Sequence, residues 1–140
     1  MKRIKHDLSH ITNQFFPDVP VCYINRGYCY YWVYIAKILY PQGELFTLYT
    51  YGGHAFIKIG DLFYDSDSPK GVRSWKRLKV LKNTPPLDET MLHRQTLKEF
   101  AKWWGIRTRS INSKIARVLQ YGPEEFYRRQ WWFLPPEYRF

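Results

Sequence analysis

The sequence is poor in cysteine and lacks an export signal. Only Cys22 and Cys29 are present among its 140 residues. Two cysteines so close together, in a chain without a signal peptide, are not expected to form a structural disulfide. The charged start, MKRIKHDLSH, is not followed by the apolar core of a secretory signal. We therefore predict a protein of the reducing cytoplasm.

Long hydrophobic runs are also missing. The longest candidate, YCYYWVYIAKILY, is interrupted by Lys37 and is too short to cross a bilayer, so no membrane span is predicted. The chain is nevertheless 45% hydrophobic and 19% aromatic, which supplies enough large side chains for a core and argues against general disorder. Its length is that of one domain. We predict a single folded domain over residues 1–140.

Acidic residues are scarce relative to basic ones. The chain has 12 Asp and Glu against 22 Lys and Arg, a formal net charge of +10. Such a charge favours acidic partners, whether nucleic acid, anionic lipid or an acidic protein surface, without choosing among them. An acidic protein or peptide substrate is our leading expectation for a partner, and nucleic acid is the second.

The first half of the chain reads as two helical segments followed by strands. A short helical or turn-rich segment is ended by Pro17 and Pro20. Apolar residues at positions 29, 32, 33, 36 and 39 then follow the spacing of one helix face, which predicts a helix that starts near Cys29. Pro41 and Gly43 end it, and ELFTLYTY has the composition of a strand.

The stretch HAFIKIGDLFYDSD predicts a hairpin. Two strand-like runs are separated by Gly60 and Asp61, a turn signal weaker than Asn-Gly. If these two residues form the turn, Ile59 lies opposite Leu62. The same register places His54 opposite Asp67, with Asp65 diagonal on the same sheet face.

The rest of the chain reads as a basic connector and helices. Residues 68–89 are the connector, with a loop at Thr84–Pro86, and three helical segments follow at Asp88–Trp104, Asn112–Gln120 and Glu124–Trp132. The order of elements predicts an α+β fold, in which an N-terminal nucleophile helix packs on a small antiparallel sheet and C-terminal helices follow. In this interpretation residues 88–140 are a helical extension rich in basic and aromatic residues.

Three polar residues form a possible catalytic set. Cys29 at a helix start is a candidate nucleophile, because the helix dipole there favours the thiolate. His54 is the candidate general base and acid, and Asp65 the carboxylate that orients its ring, with Asp67 as the alternative. The backbone N–H of Cys29 is placed to stabilise an oxyanion.

At these residues the sequence resembles the papain-like superfamily in the broad sense, which includes transglutaminase-like and small cell-wall-peptidase branches. The resemblance lies in GYCYYW, GGHAFIKIG and LFYDSD. It implies a Cys–His–Asp triad of Cys29, His54 and Asp65, and a cysteine peptidase, amidase or acyl transferase that acts through a thioester without a cofactor.

One part of the family pattern is missing. Papain-like peptidases usually carry a Gln several residues before the nucleophile to complete the oxyanion hole, and here that region offers Tyr23, Asn25 or the more distant Gln14 as substitutes. The choice between hydrolysis and acyl transfer therefore stays open.

Three other interpretations compete with catalysis. Cys29 alone is more often a packed core residue, and a zinc site built from the same residues lacks the usual Cys-x-x-Cys or His-x-x-x-His spacing, so no metal is predicted. The chain could instead be a binding module for nucleic acid or an acidic protein, because its C-terminal half interleaves cations with aromatics. The cations concerned are Arg107, Arg109, Lys114, Arg117, Arg128 and Arg129.

Overall fold

The computed structural model describes residues 5–16, 29–49, 53–81 and 88–122. Within these ranges the chain forms four α-helices and one five-stranded antiparallel sheet, which confirms the predicted α+β class. The helices are α1 (Ser9–Phe15), α2 (Cys29–Leu39), α3 (Leu97–Trp104) and α4 (Thr108–Tyr121). The strands are β1 (Glu44–Leu48), β2 (His54–Ile59), β3 (Leu62–Asp65), β4 (Ser68–Val72) and β5 (Leu92–Gln95).

The predicted hairpin is the centre of the sheet. The strand order is β4-β3-β2-β1-β5, and β2 joins β3 through a two-residue turn with Ile59 opposite Leu62, as expected. Gly60 takes a positive φ of 62° in this turn, a conformation that glycine adopts without a Cβ penalty. The hairpin therefore places the start of β2 and the end of β3 at the same end of the sheet.

Helix α2 is buried on more than the one face predicted from its spacing. It packs on the sheet and also contacts α1 and α3, so that Tyr31, Tyr34 and Ile35 are buried in addition to the expected positions. The other face of the sheet is covered by a smaller cluster that includes Phe56, Trp75 and Leu78. Both sides of strand β2 are consequently shielded from water.

Two strands were not anticipated by the sequence patterns. The start of the predicted connector is strand β4, and the helix predicted over Asp88–Trp104 is wrong for residues 92–95, which form strand β5. Pairing with β1 supplies the hydrogen bonds for β5, with Leu48 opposite Leu92. The loop predicted at Thr84–Pro86 and the helix predicted at Glu124–Trp132 lie outside the described residues. No helix in the described ranges is long and apolar enough to cross a membrane.

Candidate active site

The three predicted catalytic residues meet at one end of the sheet. Cys29 is the first residue of α2, His54 is the first residue of β2, and Asp65 is the last residue of β3. Nε2 of His54 lies 2.9 Å from Oδ2 of Asp65, and the His54 ring also forms a side-chain hydrogen bond with Cys29. Because Nε2 faces Asp65, Nδ1 is the ring nitrogen left for the thiol. The imidazole therefore bridges the sulfur and the carboxylate.

The Asp65 carboxylate is held by the turn that follows it. Its Oδ1 accepts hydrogen bonds from the backbone N–H groups of Asp67 at 3.0 Å and Ser68 at 2.7 Å, while Oδ2 faces His54. The side chain is fully buried, so these three contacts satisfy a group that would otherwise be costly to bury. The turn therefore fixes the orientation of the carboxylate toward the imidazole.

The choice between the two candidate carboxylates follows from where β3 ends. If the register set by the tight turn at Gly60 continued to the start of β2, Asp67 would lie opposite His54. Strand β3 instead ends at Asp65, and the chain turns into β4. Asp67 contributes its backbone N–H to Asp65, and its half-buried side chain is not the His54 partner. Alternation along β3 keeps Asp65 on the same sheet face as Phe56 and His54.

The environment of His54 favours its charged form. Burial of the ring lowers the pKa, but the hydrogen bonds to Asp65 and Cys29 and the charges of these two groups outweigh burial, and the pKa of His54 rises to about 10. The side chain is only 4% exposed, so the imidazolium is screened little by water. At neutral pH the His54 imidazole is therefore protonated.

Trp104, which the sequence patterns did not assign to the site, contacts the residues next to both Cys29 and His54. The Trp104 ring stacks on Tyr30, the residue after Cys29, at 4.9 Å. Its Cη2 atom would lie 3.1 Å from a Cβ placed on Gly53, the residue before His54. Its neighbour Trp103 is 53% exposed, so Trp104 is the one of the two adjacent tryptophans that packs beside the site.

The Trp104 ring is held in place by a polar chain. Its Nε1 donates to Oγ1 of Thr47 at 3.0 Å, and that hydroxyl donates to Oε1 of Gln95 at 2.7 Å. Thr47 is buried on β1 and Gln95 lies on the unanticipated strand β5. Strand β5 therefore contributes to the site indirectly, by fixing the ring that packs beside Gly53.

Among the predicted oxyanion donors, Gln14 lies in the described residues, and it is not brought together with Cys29, His54 and Asp65. Gln14 is exposed on α1, where its Oε1 lies 3.5 Å from Nδ1 of His10. Tyr23 and Asn25, the other proposed oxyanion donors, lie outside the described residues, as does Cys22. In the described part of the chain, no group of three His, Cys, Asp or Glu side chains is arranged to hold a metal ion.

Four of the predicted binding cations lie on or next to helix α4. Arg107, Arg109 and Arg117 are exposed and Lys114 is half-buried, while the opposite side of the helix is buried through apolar residues such as Ile115. Arg128 and Arg129 lie outside the described residues.

Comparison of the chain with family models, curated proteins and solved structures gives no match.

Proposed function

We propose that this protein is a cysteine-dependent enzyme that cleaves or transfers an acyl group from an amide or related acyl bond. The observation that carries the proposal is the continuous hydrogen-bonded chain from Cys29 through His54 to Asp65, buried at a helix start and two strand ends. A thiol, an imidazole and a carboxylate in this order are the groups that nucleophilic acyl transfer needs.

The first half of the proposed reaction is acylation. In the proposed step the Cys29 sulfur reacts as a thiolate paired with the His54 imidazolium. It attacks the carbonyl carbon, and a C–S bond forms while the C=O electron pair moves to oxygen. The N–H of Cys29 at the start of α2 stabilises this oxyanion. When the tetrahedral intermediate collapses, the C–N bond breaks and His54 gives its proton to the leaving amine. The product is a thioester on Cys29.

The second half regenerates the thiolate. Neutral His54 takes a proton from water, for hydrolysis, or from an acceptor amine, for transfer, and the oxygen or nitrogen attacks the thioester carbon. The C–S bond then breaks and the thiolate is restored beside the imidazolium. Asp65 keeps the ring oriented and stabilises its positive charge in both halves. The net charge of +10 supports an acidic protein or peptide as the substrate.

The proposal is tested by trapping the acyl-enzyme. The full chain is mixed with an activated ester such as p-nitrophenyl acetate at pH 6, and the adduct is located by intact-mass and peptide mass spectrometry. We expect acylation at Cys29, lost in Cys29→Ala and retained in Cys22→Ala, the matched control. Labelling at pH 6 favours an ion-paired thiolate over an ordinary thiol. A folded protein that is acylated only at Cys22, or not at all, would contradict the proposal.

A binding module for acidic partners is the second candidate function. It is supported by the segment from Arg107 to Tyr121, which contains four cations and no acidic residue. If this is the function, Arg109→Ala and Arg117→Ala weaken binding to nucleic acid or an acidic protein, and affinity falls steeply with salt. Cys29→Ala would leave such binding intact.

A further inference from the structure

A basic pocket lies at the opposite end of the sheet from the triad. It has a volume of about 310 Å³ and is bordered by Leu62, Gly71 and Val72 together with cationic side chains. Leu62 follows the hairpin turn directly, whereas His54 begins β2 at the other end. Strand β2 spans roughly 17 Å between these ends at the usual rise per residue. The pocket is therefore separate from the proposed active site.

The lining of this pocket carries charge of one sign. Its cations are Lys5, Lys70, Arg73 and Arg77, and no acidic residue lines it. All four are exposed. Asp7 lies outside the lining but is affected by one of these cations: its pKa is lowered mainly by hydrogen bonds from Ser9 and to a smaller degree by the charge of Lys70. The Asp7 side chain thus already accepts the Ser9 N–H at 2.9 Å.

A second pocket shows that this arrangement is not simply a result of the basic composition. That pocket is lined by Lys37 and Arg94 but also by Glu44 and Glu99, so its formal charges cancel. Arg94 and Glu44 lie 3.7 Å apart in it. The chain therefore balances the charge of one cavity and leaves the other strongly positive.

The backbone of β4 shapes the basic pocket. Phe63 pairs with Val72, and Asp65 pairs with Ser68. Between these two pairs the chain advances two residues along β3 but four residues along β4, so β4 contains a bulge. Gly71 in this bulge has a φ of 86°, and a Cβ there would lie 2.9 Å from the Tyr64 ring. Bulges redirect the side chains of a strand, and this one lies next to Lys70. The irregular strand is part of the pocket wall.

We propose that this pocket binds a small polyphosphate anion, such as the diphosphate or triphosphate group of a nucleotide. Four cations around one concave space match the charge of such a group, and Arg73 and Arg77 can each donate two N–H groups to phosphate oxygens. A nucleic-acid strand spreads its charge along a track, whereas these four side chains surround a pocket at the lower end of the size range of small-molecule sites.

The test measures binding of sodium pyrophosphate to the full chain by isothermal titration calorimetry at fixed ionic strength. We expect Arg73→Ala/Arg77→Ala to weaken binding at least about tenfold, because each charge-assisted hydrogen bond contributes on the order of a factor of ten. The matched control is Lys98→Ala/Lys102→Ala, which removes the same charge from exposed positions on α3, outside the pocket lining, and should change binding by less than about twofold. Both pairs are exposed, so the fold is retained.

Titrations with other anions show which kind of phosphate compound the pocket prefers. A nucleoside diphosphate that binds as tightly as pyrophosphate, or more tightly, supports the proposal. Equal losses in both double variants, binding no tighter than that of sulfate, or an affinity for oligonucleotides that rises with length and exceeds that for pyrophosphate would each overturn it. Cys29→Ala should bind pyrophosphate like the wild type, so this test is independent of the proposed catalytic function.

Discussion

At the end of the sheet where β2 begins, His54 and Asp65 are buried and hydrogen-bonded to each other, whereas at the opposite end Arg73 and Arg77 are exposed around an open pocket. The buried end fixes orientation, because the His54 ring and the Asp65 carboxylate have defined partners and little water competes for them. The exposed end supplies charge without fixing geometry. Proton transfer needs the first arrangement, and attraction of an anion needs only the second.

The largest expected effect comes from removing the proton carrier at the buried end. His54→Ala should slow acylation by an activated ester about 10³-fold, because a positioned general acid and base contributes on this order. The double variant His54→Ala/Cys29→Ala should show no remaining acylation. The double variant His54→Ala/Asp65→Asn should react at almost the same rate as His54→Ala, since the carboxylate acts only through the ring. The rates are measured by stopped-flow release of p-nitrophenol, with circular dichroism as the control for folding. Additive losses would show that the residues do not act as a unit.

The two neighbouring carboxylates provide the next comparison. Asp65→Asn should slow acylation about 10²-fold, because a neutral amide no longer stabilises the imidazolium. Asp67→Asn is the matched control and should stay within about twofold of the wild type, because its contribution is a backbone N–H that the substitution retains. Both variants are assayed with the same ester. A larger loss in Asp67→Asn than in Asp65→Asn would contradict the observed hydrogen-bond pattern.

A third prediction concerns pH and stability. The pKa of His54 is raised from 6.5 to about 10, so the imidazole binds its proton more tightly in the folded chain than in the unfolded chain. The stabilisation is therefore fully present below about pH 6.5 and is lost as the pH rises toward 10. We expect the free energy of unfolding in urea to fall over this window in the wild type, by more than in His54→Gln, which titrates nothing at that position. Parallel curves for the two proteins would mean that the His54 proton is not linked to folding.

The hairpin and the sheet face that His54 and Asp65 share could be predicted, because their signals are local. Two-residue alternation around Gly60 and Asp61 fixes both the register and the face that His54 and Asp65 share. The choice of Asp65 over Asp67 could not be derived from the register, because it depends on β3 ending where the Asp65 carboxylate captures two backbone N–H groups. That information lies in the turn into β4.

The two missed strands have different physical causes. Strand β4, with the sequence SPKGV, contains Pro, Lys and Gly, which strands usually avoid, and it is tolerated at a bulged sheet edge. Strand β5, LHRQ, lies before a helical pattern and is extended because β1 offers it a free edge, which is a tertiary effect. One local signal was available: Thr96 and Glu99 form a capping box, which marks the start of α3 after residue 95.

The smallest expected effect tests whether Trp104 shapes the buried end through Gly53. Gly53 has a φ of 84°, and an added Cβ would lie 3.1 Å from the Trp104 ring, so Gly53→Ala carries both backbone strain and a close contact. Gly60→Ala is the matched control, because its φ is also positive, at 62°, but nothing lies within 4 Å of its Cβ position.

Backbone strain alone should cost each variant about 1 kcal/mol of unfolding free energy. We expect Gly53→Ala to lose roughly 1 kcal/mol more, because the ring must shift away from an added atom in a packed site. That shift should also slow acylation of Cys29, since Tyr30 is stacked on the same ring, whereas Gly60→Ala should leave the rate unchanged. Urea unfolding and the ester assay measure the two effects. Equal unfolding free energies and equal rates in the two variants would show that Trp104 packs beside Gly53 without positioning the triad.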